Sequence, residues 1–341
     1  MRGSPASILI SILIFLLSLK ELCLKFSFVI NILNCFLSRH LGSVRVNTIF
    51  NMQTKTKFLI LLGSFLVVGI ASFAFLFTTD IVVLNPKGMI GEKERDLLVI
   101  ATVLMLIVVI PVFLLTFWLA WKYREENSKA KYKPDWEHST LAECVWWGVP
   151  LIIIAVLAVV NWKACHRLDP FRPIEGERAP LKIQVVALRW KWLFIYPEQN
   201  IATVNFVQFP EKTPLAFEIT ADAPMNSFWI PALGGQVYAM PGMQSKLHLI
   251  ANEPGEFDGS SANFSGKGFA SMRFTAKASS EEEFEEWVQA AQSSPKSLDL
   301  DTYNHLVEPS EYNPPAFYRL NAEGLFSRIS MQYMTPMEHG T

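Results

Sequence analysis

The chain carries long apolar runs in its first half and short, β-rich segments in its second. Two of the apolar runs, Leu97–Trp121 and Leu141–Trp162, contain no basic residue and are long enough to cross a bilayer, which takes about 20 residues. Pro111 lies in the middle of the first run, where we expect a kink, and Pro150 lies inside the second. The pattern predicts a hairpin of two transmembrane α-helices within residues 78–163.

The loop that joins the two predicted spans is positively charged. Its basic residues are Lys122, Arg124, Lys129, Lys131 and Lys133. Short loops rich in lysine and arginine stay on the cytoplasmic side of a membrane. Everything after Lys163 is therefore expected outside, which in a bacterium means the periplasm. The sequence thus predicts a multi-pass protein of the bacterial inner membrane whose C-terminal domain lies in the periplasm.

The second span begins with a hydroxyl and a carboxylate. Thr140 and Glu143 have the spacing of a capping box, which predicts a helix start at the membrane edge. A carboxylate in the first turn of a helix is stabilised by the helix dipole, and this accounts for Glu143 without any further role. An acid at this depth could alternatively contribute to proton movement.

The region before the hairpin has the features of a targeting segment. Residues 52–77 place Lys55 and Lys57 before an apolar run, as in a signal sequence or signal anchor. A further span upstream would put the neighbouring basic residues outside, against the charge rule. We therefore expect translation to begin at Met52 and residues 1–51 to be a non-native extension.

From Leu181 onward, short β-rich segments alternate with proline, glycine and asparagine turn signals. The segments are LKIQVVAL, WKWLFIY, LAFEITA, SKLHLIA and MRFTAKA. Several short strands at such spacing predict an antiparallel sandwich, which we place in residues 164–278. Residues 279–341 form a C-terminal extension. It opens with an amphipathic helix in which Ser280 and Glu283 form a capping box, and it continues as an aromatic, proline-containing tail.

Composition narrows the functional classes. Half of the chain is hydrophobic (51%) and its formal net charge is −1, which indicates membrane spans joined to a soluble domain. Near-neutral charge without a basic cluster argues against nucleic acid as a partner. The four cysteines lie before the β-rich region and indicate no disulfide framework; they are Cys23, Cys35, Cys144 and Cys165.

Several stretches of the chain resemble subunit II of haem–copper oxidases, and in particular the bo-type ubiquinol oxidase branch. They are LNPKGMIG, WKYREENSKAKY, RWKWLFIYPEQNIATVN, MNSFWIPALGGQVYAMPGMQSKLHLIANEPGEFDG and PSEYN. The resemblance extends from Leu84 to Met334 and covers both spans, the β-rich region and the tail. It implies an all-β, cupredoxin-like Greek-key sandwich behind the membrane hairpin, with a short helical and aromatic C-terminal extension.

The resemblance also locates a dinuclear copper loop whose ligands have been replaced. Copper-bearing relatives carry two cysteines, a histidine and a methionine in the segment that here reads GEFDGSSANFSGKGFASM, and a second histidine upstream. The corresponding residues of this chain are Ser261, Ser265, Phe269, Met272 and Asn226. Hard, neutral oxygens hold copper poorly, because a copper pair needs thiolates and imidazoles. We therefore expect no metal, cofactor or catalytic site in this chain, and a core position for Met272.

Two sets of residues near this segment could have either a functional role or a packing role. Met225, Met240, Met243 and Met272 could converge as a thioether site for Cu(I), or they could simply fill gaps in the core. Trp190, Trp192 and Tyr196 lie where copper-bearing relatives keep an aromatic electron-entry patch. We interpret these aromatic residues as packing on one face of a strand in which residues 190, 192, 194 and 196 alternate.

The resemblance implies a function for the complex rather than for the isolated chain. It implies a proton-pumping terminal oxidase that transfers electrons from ubiquinol to oxygen, with haem and copper in the partner subunit I and further small membrane subunits. This chain would be a structural and assembly subunit that caps subunit I and is not catalytic alone. The alternatives are a copper-relay subunit of a cytochrome c oxidase and a membrane-anchored periplasmic binding module with a cupredoxin-like domain.

Overall fold

The computed structural model describes most of the chain from residue 81 onward and a short stretch before it. The described residues are 63–64, 66–72, 74, 81–124, 127–131, 138–176 and 178–333. The chain divides into two compact units, Met1–Thr79 and Asp80–Thr341. The described residues of the first unit are helical and fall inside the predicted signal region 52–77. The predicted extension 1–51 lies outside the described residues.

Two long helices occupy the predicted spans. Helix α1 is Met89–Lys122 and helix α2 is Thr140–Arg167, and both are long and apolar enough to cross a membrane. The helices contact each other, yet their most apolar stretches bury no side chain within the described structure. Helix α1 continues through Pro111 and begins eight residues before the predicted span. Such exposed apolar surface is suited to lipid or to a partner protein rather than to water.

The start of α2 corrects the predicted capping box by one residue. Ser139, not Thr140, is the N-cap, because its backbone is extended and its side chain accepts a hydrogen bond from Ala142 N at 3.4 Å. Thr140 is already the first helical residue. Glu143 lies in the first turn as expected, and its carboxylate is 3.6 Å from His138 Nδ1 on the exposed surface.

The N-terminus of α1 is fixed to the second half of the chain by backbone contacts. Gly88 forms an isolated bridge with Ala251 and donates to Ala232 O at 3.1 Å, and Gly91 donates to Leu233 O at 3.0 Å. A Cβ at Gly88 would lie 2.6 Å from Leu233 O, closer than side chains approach backbone. The glycines of the LNPKGMIG stretch therefore allow the helix to begin directly against the backbone of the second half of the chain.

The second half of the chain forms two packed β-sheets, with three short helices. The strands in chain order are β1 Leu181–Leu188, β2 Lys191–Tyr196, β3 Ile201–Val204, β4 Phe206–Pro210, β5 Leu215–Ala221, β6 Asn226–Trp229, β7 Val237–Ala239, β8 Ser245–Leu249, β9 Gly255–Ser261, β10 Arg273–Ser279, β11 Ser297–Leu298 and β12 Ala316–Leu320. The helices are α3 Glu281–Gln292, α4 Leu300–Val307 and α5 Leu325–Met331. We call residues 181–331 the β domain.

The sandwich is mixed rather than purely antiparallel, which corrects the prediction. The seven-stranded sheet has the order β11-β12-β3-β2-β1-β5-β8, and the five-stranded sheet has the order β4-β10-β9-β6-β7. The pairs β1–β5, β4–β10 and β11–β12 are parallel. The chain changes sheets between β3 and β4 at Asn205, which has φ 55°, and returns as β5 beside β1. Asparagine is among the few residues that tolerate this left-handed conformation.

The main core lies between the two sheets and is rich in aromatic rings. Trp192 and Phe194 of β2 contact Phe228 of β6 and Phe274 of β10 with ring centroids 5.1–6.1 Å apart. All four side chains are buried. Buried aromatic pairs of this kind stabilise a fold beyond their area alone. The core therefore holds β6, β9 and β10 in place, and these strands carry the candidate site.

The C-terminal extension covers the other face of the seven-stranded sheet. Leu193 and Ile195 of β2 are buried against Tyr303, Phe326 and Ile329 in a second hydrophobic cluster. Strand β2 is consequently buried on both faces, and this explains why its sequence shows no clear alternation. The helix predicted at the start of the extension is confirmed as α3. Ser280 Oγ accepts from Glu283 N at 3.2 Å, as the capping box predicts.

Candidate functional site at the loop between β9 and β10

The residues predicted to correspond to copper ligands lie at one end of the five-stranded sheet. Asn226 begins β6 and Ser261 ends β9, and pairing of these strands brings the two buried residues together. Ser261 Oγ is 3.0 Å from Asn226 Oδ1. Met272 precedes β10, and its carbonyl accepts from Ser261 N at 3.2 Å. The fold therefore gathers these three positions, although they are far apart in sequence.

The Ser261 hydroxyl is held by hydrogen bonds within the protein. Besides Asn226 Oδ1, the carbonyl of Asn263 lies 3.2 Å from Ser261 Oγ and can share its proton. The N–H of Ser227 donates to the same oxygen at 3.5 Å. Asn226 Nδ2 in turn donates to Pro224 O at 2.7 Å. These polar groups therefore have hydrogen-bond partners without a metal ion, and all of the oxygens are neutral and hard.

The second serine has different surroundings. Ser265 Oγ is buried, and within the described residues it has no hydrogen-bond partner. Its carbonyl accepts from Trp190 Nε1 at 3.2 Å. The indole of Trp190 also lies on Gly268, where a Cβ would come within 2.4 Å of the ring. Trp190 and the glycine beneath it thus fix the conformation of the loop.

Phe269 and Met272 occupy the remaining ligand positions. Phe269 is half-buried and packs against Phe264 of the same loop with ring centroids 5.5 Å apart, while Phe264 itself is 76% exposed. Met272 is 1% exposed and belongs to the main core. The Phe269 ring has no donor atom for a metal, and the Met272 thioether packs in the core.

The four methionines of the Cu(I) hypothesis have unlike environments. Met225 is 39% exposed and Met243 is 46% exposed, whereas Met272 is enclosed by the core. Met240 is intermediate. In the part of the chain that the structure describes, no three His, Cys, Asp or Glu side chains are grouped so that they could hold a metal ion.

The aromatic residues near the loop do not share a single strand face. Trp190 has φ 65° and lies before β2, so the predicted alternation begins only at Trp192. Trp192 and Tyr196 are completely buried. The Tyr196 hydroxyl donates to Gln208 O at 2.8 Å and accepts from Gln208 N at 2.9 Å, and burial raises its pKa. Trp190 therefore differs from the other two: it contacts the loop, while they fill the core.

Sequence reasoning missed the polar contacts that hold the C-terminal extension. Lys191 is buried, and its amine donates to Glu308 O at 2.9 Å and to Ser310 Oγ in the PSEYN stretch. Burial lowers the pKa of Lys191. On another part of the same sheet, Tyr303 and Tyr333 both donate to the carboxylate of Asp222. The lysine inside the apolar WKWLFIY run was the one signal that could have indicated a buried charge.

Two family models match the second half of the chain. The family described as cytochrome c oxidase subunit II, periplasmic domain, matches residues 197–279, and the COX aromatic rich motif matches residues 292–337. The periplasmic domain of subunit II of cytochrome oxidase of Bradyrhizobium japonicum has a solved structure that is 22% identical, with a TM-score of 0.33. The match covers 34% of this chain and 96% of that one.

Two relatives match most of the chain. Cytochrome bo(3) ubiquinol oxidase subunit 2 of Pseudomonas aeruginosa is 54% identical over 254 residues, which cover 74% of this chain and 77% of the relative. Ubiquinol oxidase subunit 2 of Acetobacter aceti is 49% identical over 271 residues, which cover 79% of this chain and 88% of the relative. The chain belongs to the ubiquinol oxidase subunit 2 family.

Proposed function

We propose that this chain is the subunit of a proton-pumping quinol oxidase that caps the haem-bearing subunit I and relays no electrons through a metal of its own. The observation that carries the proposal is the hydrogen-bonded pair of Ser261 and Asn226. Both residues occupy positions where a copper relay would need a thiolate and an imidazole. Haem and copper would then be held by subunit I alone.

A quinol substrate gives a physical reason for a subunit II without copper. A water-soluble electron donor delivers electrons at the outer face, so its oxidase needs a relay above the membrane. Ubiquinol is soluble in lipid and reaches the large subunit from within the bilayer. The relay is then unnecessary, while burial of the β domain against the complex remains useful for assembly.

The exposed helices supply the surface for this assembly. The apolar sides of α1 and α2 would span the inner membrane and contact subunit I, further small membrane subunits and lipid. The basic loop after Lys122 would be cytoplasmic and the β domain periplasmic. Glu143 would lie at the cytoplasmic edge, in the first turn of α2.

Gentle purification of the complex tests the proposal. We expect haem to copurify with this chain, quinol to be oxidised and reduced cytochrome c to be left unoxidised. Copper should match the content expected for subunit I alone, with no long-wavelength absorbance from a copper pair. Stoichiometric copper in this chain would instead indicate a cytochrome c oxidase relay. Purification without any haem-bearing partner would indicate a separate binding module.

A further inference from the structure

A cavity of about 390 Å³ lies where the membrane hairpin meets the β domain. Its walls come from the first turns of α1, from the segment that follows α2, and from β8. The charged residues that line it are Lys93, Glu94, Arg167, Asp169, Arg172 and Glu175. This volume lies within the range of small-molecule sites, about 300–1,000 Å³. The proposed capping role assigns nothing to this cavity.

The cavity lies just beyond the apolar spans. Lys93 precedes Leu97 by four residues and Arg167 follows Trp162 by five. At a rise of 1.5 Å per residue these offsets are about 6 and 7.5 Å along the helices. The polar layer on each side of a bilayer is about 5–8 Å thick. With the proposed transmembrane orientation, on which this inference rests, the cavity is level with the headgroups of the outer leaflet.

No ion pair joins these charged side chains within the described structure. Lys93, Arg167 and Arg172 are exposed and form no ion pair with any described residue, and neither does Glu94 or Glu175. Cations and carboxylates thus line one cavity without being paired. A ligand that matches this lining carries a negative and a positive group close together.

We propose that the cavity binds the headgroup of a phospholipid with a primary ammonium group, that is, a phosphatidylethanolamine. The phosphate would be bound by Arg167 and Arg172, because guanidinium groups match phosphate oxygens in geometry and charge. The ammonium would donate to Glu94, which also accepts a hydrogen bond from the backbone of Gly235. The acyl chains would follow the exposed apolar surface of α1 and α2.

The phosphate half of the site is tested in the purified oxidase complex. We compare the wild type with Arg167→Gln/Arg172→Gln, and with Arg273→Gln/Arg319→Gln as a matched loss of two exposed charges elsewhere on the β domain. After detergent washing, phospholipid retained per haem is quantified by mass spectrometry. We expect the first variant to hold phosphatidylethanolamine about tenfold more weakly, and the control to retain it as the wild type does. Equal retention in all three complexes would refute the proposal.

The ammonium half is tested by lipid rebinding to the delipidated complex. The lipid is supplied in detergent micelles that contain phosphatidylethanolamine, phosphatidylcholine or phosphatidylglycerol. We expect the wild type to prefer phosphatidylethanolamine. Glu94→Gln should abolish that preference but keep binding, since the amide oxygen can still accept from Gly235. Equal binding of the three lipids by the wild type, or displacement of bound lipid by inorganic phosphate, would overturn the assignment. Haem content and quinol oxidation, measured on the same samples, report separately on the proposed function.

Discussion

Replacing Trp190 by alanine distinguishes packing from electron transfer beside the loop between β9 and β10. Trp190 donates to Ser265 O at 3.2 Å and its ring covers Gly268. Loss of a fully buried tryptophan costs about 3–5 kcal/mol. Because Trp190 is half-buried, we expect roughly half of that, about 2 kcal/mol, of which the hydrogen bond contributes about 1 kcal/mol.

This loss has a measurable consequence in the complex. A change of about 2 kcal/mol lowers the unfolding temperature of a domain of about 150–250 residues by about 4–8 °C. The assays are thermal unfolding of the purified complex, the yield of assembled haem, and quinol oxidation per haem. We expect lower thermal stability and a lower yield, with the turnover of intact complex unchanged.

Two further variants control this experiment. Phe264→Ala removes a 76% exposed ring from the same loop and should leave thermal stability within about 0.5 kcal/mol of the wild type. Trp190→Phe keeps an aromatic ring but removes the hydrogen bond to Ser265, and should fall between the wild type and Trp190→Ala. Normal assembly and stability of Trp190→Ala, combined with much slower quinol oxidation, would refute the packing argument.

Three other predictions follow from local geometry. Gly88→Ala places a Cβ 2.6 Å from a backbone oxygen; it should cost about 1–3 kcal/mol and reduce the yield of assembled complex. Ser261→Ala leaves buried polar groups unpaired and should destabilise the complex by about 1–3 kcal/mol. Ser265→Ala removes a buried hydroxyl that has no partner among the described residues, and should be neutral or stabilising in thermal unfolding. Burial and the hydrogen bond to Asp222 raise the pKa of Tyr303, so its stabilising contribution is complete below the unfolded value of about 10 and decreases above it. The stability deficit of Tyr303→Phe should therefore narrow between about pH 10 and 11 in unfolding experiments.

Each of these predictions has its own control or contrary result. Gly255→Ala is the matched control for the first, because a Cβ there meets only the Phe257 ring, at an ordinary contact distance of 3.4 Å; equal yields for both variants would contradict the steric argument. The prediction for the two serines is refuted if Ser265→Ala destabilises the complex as much as Ser261→Ala does. The tyrosine prediction fails if the deficit of Tyr303→Phe is the same at neutral and alkaline pH.

The helices that carry a strong local sequence signal were predictable. The apolar runs gave both long helices, and Ser280 with Glu283 gave the start of α3. The parallel pairs of the sandwich were not predictable, because strand direction is decided by crossings between sheets such as the turn at Asn205. Local pattern carries no information about such crossings.

The C-terminal extension was harder to predict from the sequence, for a related reason. Beyond α3 its elements are short, and they gain stability by covering a sheet face that is already apolar, so local pattern alone does not identify them. At the candidate site, the sequence supplied the positions but not their surroundings. The contact between Ser261 and Asn226 depends on pairing of β6 with β9, and the contact of Trp190 with Gly268 depends on a left-handed residue before β2.

These surroundings account for the form of the loop without any metal–ligand bond. Metal–ligand bonds would tie β6, β9 and the start of β10 together; here the same segments are joined by the hydrogen bonds of Ser261 and by the buried thioether of Met272. Each such hydrogen bond contributes only about 0.5–1.5 kcal/mol, but the aromatic core beneath already fixes the strands. The loop therefore needs only modest local interactions. These interactions leave out Ser265, whose hydroxyl has no partner among the described residues, and Phe269, which packs on Phe264.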